Sequence, residues 1–97
     1  MRDRRFEPRQ ATDESVEVRW TEATGAERRG SGVVRDLSRS GASIVLDHPI
    51  HVLTPVRVTI RNQELNARVR SCIPAQTGYV LGVELWPHSQ GFLRDAS

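Results

Sequence analysis

Ninety-seven residues make one domain, near the lower end of the size that folds without disulfide or metal staples. The single cysteine, Cys72, excludes an internal disulfide framework, and a net charge of +2 is too small for nonspecific coating of DNA. No apolar run approaches the ~20 residues of a membrane-spanning helix and the charged N-terminus has no apolar leader core, so a cytoplasmic protein without a membrane partner is expected.

Residues 1–13 are polar and charged, with Phe6 the one bulky apolar group, and read as a flexible N-terminal arm ahead of a domain over 14–97. Val16, Val18 and Trp20 alternate with Glu17 and Arg19, the period of a half-buried strand. Thr24-Gly25-Ala26 supplies a turn, and a second strand is predicted from about Arg29 to Leu37. After Gly41, Ala42, Ile44 and Leu46 alternate with Ser43, Val45 and Asp47, until Pro49 ends the pattern because it cannot donate to a ladder. Val56, Val58 and Ile60 form a fourth segment, turned by Arg61-Asn62-Gln63 into Leu65, Ala67 and Val69. Tyr79, Leu81, Val83 and Leu85 make the sixth. Residues 87–97 have room for one helical turn around Phe92 and Leu93. Six short strands with no amphipathic helix between them predict an all-β fold, a six-stranded antiparallel β-barrel, whose closure removes exposed edges.

All fourteen basic residues are arginine, whose planar fork pairs with phosphate through two hydrogen bonds and stacks on rings; a GC-rich genome accounts for the same bias. Two segments carry more information. In Asp36-Leu37-Ser38-Arg39-Ser40-Gly41, Asp36 and Ser38 are two residues apart and leave one face of the strand, while Leu37 points to the core. Gly41 permits either a positive φ or close approach of a ligand to the backbone. A carboxylate at that place accepts hydrogen bonds from guanine N1–H and N2–H2, which adenine does not offer; the same residues also suit an ordinary turn. In Arg5-Phe6-Glu7-Pro8-Arg9, Pro8 disfavours helix at Glu7, and an extended chain sets Arg5 and Arg9 roughly 13 Å apart. Two guanidinium groups at that spacing can grip a nucleotide by phosphate or by guanine O6 and N7. The alternative is a solvated charged terminus.

The pair of segments, RxxxR followed by DxSxxG, resembles the signatures of the PilZ domain family, and the resemblance covers almost the whole chain. It implies a PilZ-like six-stranded barrel that binds the bacterial second messenger cyclic di-GMP, with the RxxxR arm wrapping over the barrel. Carried onto this sequence, Arg5 and Arg9 contact phosphate and guanine, Asp36 and Ser38 contact the other base and its surroundings, and Gly41 shapes the turn. Arg4, just before the first motif, goes with a stacked, intercalated pair of nucleotides. Arg39 either adds charge for phosphate or is a loop arginine. Leu81-Gly82-Val83-Glu84-Leu85 resembles the family's closing strand, with Leu where an aromatic residue is frequent.

The expected role is therefore a receptor that relays binding to a downstream protein partner, with no enzymatic activity, cofactor or metal and no nucleic-acid partner. His48 and His51 share the spacing of a metal pair, but Pro49 breaks the geometry and no second cluster supplies ligands. Cys72 and Ser38 have no base placed to activate them. Two rival classes are an RNA- or single-strand-binding barrel, which usually interleaves exposed aromatics with basic residues, and a protein-interaction adaptor that binds no nucleotide. Five aromatic residues in all argue against the first, and intact Arg5, Arg9, Asp36, Ser38 and Gly41 against the second.

Overall fold

The structure is a computed structural model that describes residues 10–86, with side chains described from Asp13 to Trp86. The tail around Phe92 and Leu93 lies outside these residues. Six strands are present: β1 (Gln10–Thr21), β2 (Glu27–Leu37), β3 (Gly41–Leu46), β4 (Pro55–Ile60), β5 (Gln63–Ala75) and β6 (Gly78–Leu85). They close into an antiparallel barrel in the order β1-β2-β3-β6-β5-β4, as the alternating pattern predicts. No helix among the described residues is long and apolar enough to cross a membrane.

The interior is the set of residues on one parity of each strand. Val16, Val18 and Trp20 of β1 meet Val56, Val58 and Ile60 of β4, and Ala42, Ile44 and Leu46 of β3 meet Leu81, Val83 and Leu85 of β6. Leu65, Ala67 and Val69 complete the ring from β5, and Ile50 caps it from the loop after β3. Most of these are β-branched or small, which suits a tightly curved sheet. Cys72 and Tyr79 are half-buried against this core. Trp20 is core as well, with its ring edge-on to His48 at 6.4 Å between centroids.

Turn chemistry follows local sequence. Gly25 takes φ 92° in the β1–β2 turn, where its N–H donates to the Glu22 carbonyl at 2.8 Å. Arg61 and Asn62 both have positive φ, at 53° and 64°, the requirement of a two-residue hairpin loop whose twist matches the flanking strands. Arg61 is held there by Glu14: its Nε donates to both carboxylate oxygens at 2.8 and 2.9 Å, which raises the guanidinium pKa.

Two departures from simple alternation shape the barrel. On β2, Gly30 and Val34 face inward, yet so does Leu37, three residues later. The register explains it: Val34 pairs with Ile44 and Asp36 with Ser43, leaving Arg35 as an extra residue in a β-bulge. On β5 the extra residue is Arg70, since Val69 pairs with Val83 and Ser71 with Gly82. The third difference concerns the arm: β1 opens at Gln10, inside the stretch 1–13 read as arm, because Gln10 and Ala11 pair with Leu37 and Asp36.

Candidate functional site

Arg35's bulge decides which way the second motif points. Were β2 regular from Val34 onward, Asp36 would follow Val34 into the core and Leu37 would face out. The extra residue resets the phase, so Leu37 is buried and Asp36 lies half-buried on the outer face, opposite Ser43 of β3. On its other side Asp36 is opposite Ala11 of β1, where the β1–β2 register also slips between Ala11 and Glu14. Both neighbours of Asp36 are thus irregular, and bulges of this kind commonly re-aim side chains at binding sites.

Beyond Leu37 the chain turns through Ser38, Arg39 and Ser40 into β3. Ser38 is 5% exposed, and its N–H donates to the Gly41 carbonyl at 2.8 Å. Its hydroxyl donates to the same carbonyl at 3.3 Å, so part of its hydrogen-bonding capacity is spent on the loop itself. The Ser40 carbonyl accepts from the N–H of Leu85 at 2.8 Å, tying the loop to β6. Arg39 is exposed.

Gly41 departs from expectation in its reason. Its φ is not positive; a Cβ placed on it would come within 2.8 Å of the Val83 carbonyl oxygen. Glycine is required here by the backbone of β6, with which Gly41 pairs opposite Glu84, and not by a left-handed turn.

Cross-strand register assembles a row that sequence spacing conceals. Asp36 lies opposite Ser43, Ser43 opposite Gly82, and Gly82 opposite Ser71. The row is flat, because a Cβ on Gly82 would fall 2.6 Å from Ser71 Oγ. It joins residues some thirty-five positions apart along the chain, and no motif of Ser43 or Ser71 announces it. One end of the row carries Arg70, paired with Glu84 at 3.1 Å.

Arg4, Arg5 and Arg9 lie outside the described residues. What the structure supplies is the point at which their segment joins the barrel. Gln10, bonded directly to Arg9, sits opposite Leu37 in the β1–β2 ladder, and Ala11 sits opposite Asp36. A cleft of about 420 Å³ lies elsewhere, lined by Arg19, Trp20, Arg28, Arg57, Asn66 and Trp86 among others, and no residue of the Asp36–Gly41 motif lines it. Trp86 there receives Arg68 over its ring at 5.9 Å. Among the described residues no group of three His, Cys, Asp or Glu side chains converges as metal ligands would.

The closed barrel thus carries a polar row across β2, β3, β6 and β5, with the start of β1 laid beside Asp36 at one end of it. Residues 3–95 match the model of the PilZ domain, and the chain belongs to that family. Solved structures of similar fold include the inhibitor of motility MotI/DgrA of Bacillus subtilis, 19% identical with a TM-score of 0.72 over 98% of this chain and 50% of that one. YcgR of Escherichia coli, in complex with c-di-GMP, is 17% identical with a TM-score of 0.69 over 96% of this chain and 44% of that one. The PilZ domain of CeSA from a cellulose-synthesizing bacterium is 28% identical, with a TM-score of 0.56 over 88% of both chains. The chain therefore spans half or less of the length of the first two. No curated relative matches it.

Proposed function

We propose that this PilZ domain is a receptor for cyclic di-GMP that binds through Arg4, Arg5 and Arg9 together with Asp36, Ser38 and Gly41, and that it acts by binding and not by catalysis. The observation that carries the reading is the pairing of Gln10 with Leu37 and of Ala11 with Asp36. Gln10, bonded to Arg9, joins the barrel alongside the DxSxxG motif, which favours a ligand shared between that motif and the arginines that precede Gln10. The family match and the c-di-GMP complex of the similarly folded YcgR support the same choice of ligand.

The chemistry divides between the two segments. Asp36, aimed outward by the bulge, accepts from N1–H and N2–H2 of one guanine. Arg5 and Arg9 neutralise the two phosphates or meet guanine O6 and N7, as charge-assisted pairs with defined geometry. Arg4 adds a third cation, which suits a stacked pair of nucleotides carrying four phosphate charges. Ser38 and Gly41 act mainly through the loop: the former closes it, and the latter lets β3 lie against β6. Binding draws the N-terminal segment against the barrel and makes a surface for a downstream protein to read, an ordering switch of the kind that charge neutralisation drives.

Calorimetric titration with cyclic di-GMP, against cyclic di-AMP and GTP, tests the reading. Saturable binding of the guanine dinucleotide alone, at two per chain, is expected. No heat with any of the three removes the receptor reading, and one nucleotide per chain removes the role given to Arg4. Hydrogen exchange of residues 1–13 then tests the relay: protection identical with and without ligand counts against ordering.

A further inference from the structure

The described arginines fall into two groups. Arg19, Arg28, Arg29, Arg57, Arg61 and Arg70 each pair with a glutamate, and Arg68 lies over Trp86. Among the described residues only the side chains of Arg35 and Arg39 have neither an ion pair, a hydrogen bond nor a ring contact, and both are exposed. These two bracket Asp36 and Ser38, the polar residues of the second motif.

The bulge puts Arg35 where a regular strand could not. Val34 and Leu37 are buried, so Arg35 and Asp36 are consecutive residues on the outer wall, the first exposed and the second half-buried. Successive residues of a regular strand face opposite ways. Here a guanidinium and a carboxylate start from Cα atoms ~3.8 Å apart and leave the same side of the sheet. They do not pair with each other. Asp13, in the slip of β1 that faces Arg35, does not pair with it either, and Glu14 beside it is taken by Arg61.

We propose that Arg35 is a second reader of guanine, donating to O6 and N7 of the same base whose N1–H and N2–H2 bond to Asp36. The inference rests on the receptor reading above and adds the residue that completes recognition of one base. Guanine presents N2–H2, N1–H, O6 and N7 in sequence along one edge, two donors and then two acceptors. A carboxylate accepts from the first pair and a guanidinium fork donates to the second, so neighbouring Asp and Arg on one wall match that edge in order. Adenine has an acceptor at N1 and a donor at N6, which sets it against both residues. Arg39 stands in the loop beyond the buried Ser38, off the ladder, and lacks this placement. With Arg35 on the base, Arg5 and Arg9 remain for the phosphates and the second guanine.

Calorimetric titration of the full chain with cyclic di-GMP, and with its analogue carrying 7-deazaguanine in both halves, tests the contact. Arg35→Met should weaken cyclic di-GMP by ~10–100-fold, the worth of a two-pronged arginine–guanine pair. An unchanged far-ultraviolet spectrum checks that the barrel is intact. Arg35→Lys, which keeps the charge and loses the planar fork, should be weakened nearly as much. The analogue should bind the parent more weakly than cyclic di-GMP does, and the Arg35→Met and N7 losses together should fall at least ~3-fold short of their product, because both remove one contact. If the parent binds and Arg35→Met binds within ~2-fold of it, this inference is overturned and the receptor reading stands. Full affinity in Arg35→Lys reduces Arg35 to a general charge, and losses that simply multiply put it away from N7; either result overturns the assignment. A parent that binds no cyclic di-GMP overturns the receptor reading and this inference with it.

Discussion

Replacing Gly41 by Ala separates the two reasons a glycine can stand in a ligand motif. If the ligand needed the space, the variant would fold normally and lose affinity. The geometry instead gives the space to Val83: a Cβ at Gly41 comes to 2.8 Å from its carbonyl oxygen, and the obstacle is backbone that cannot rotate aside. Relief requires β3 and β6 to part by a few tenths of an ångström where Gly41 and Glu84 pair. Over-packing of this kind costs ~1–3 kcal/mol. For a domain of this size each kcal/mol lowers Tm by roughly 4–8 °C, so a fall of ~5–20 °C is expected without any ligand. Thermal melting followed by circular dichroism measures it. A Gly41→Ala variant melting within ~2 °C of the parent, with nucleotide affinity lost, would refute the assignment of Gly41 to the β3–β6 contact.

Other substitutions probe the remaining parts. Asp36→Ala should weaken cyclic di-GMP by ~10–100-fold, the worth of a charged hydrogen-bonding pair, while narrowing the preference for guanine over adenine dinucleotides in calorimetry. Arg9→Glu should abolish measurable binding with an unaltered far-ultraviolet spectrum, since in the proposed site it would put a negative charge beside phosphate. Ile44→Ala, at a fully buried position, should cost ~2–5 kcal/mol in chemical denaturation. Glu14→Gln should cost only ~0.2–1 kcal/mol at low salt and less at high salt, because the Glu14–Arg61 clasp is partly exposed to solvent.

Much of the fold was legible because period-2 alternation is a local signal. Val16, Val18 and Trp20, or Val56, Val58 and Ile60, each reveal an inner face within five residues, and every such triplet is buried. Turns were equally local: Gly25 and the Arg61-Asn62 pair mark positions of positive φ. The bulges were not legible. Nothing in Val33-Val34-Arg35-Asp36 says that Arg35 is supernumerary; that follows only when Ile44 and Ser43, adjacent on β3, are found opposite Val34 and Asp36. Leu37 was correctly read as inward and Asp36 as outward, but extending that phase back through β2 would have buried Val33 in place of Val34. For Gly41 the motif was legible and its cause was not, since the carbonyl it accommodates belongs to a residue forty-two positions later.

The same division holds for function. Sequence alone determined which groups are available, guanidinium, carboxylate and hydroxyl at family spacing, and which face of each strand is apolar, because these depend on side-chain identity and the two-residue repeat of the extended chain. Tertiary structure decided what stands next to what. It set Gln10 beside Leu37 and spread Asp36, Ser43, Gly82 and Ser71 into one row. Register between strands distant in the chain is a property of barrel closure and of where each bulge falls, and no window of neighbouring residues contains it.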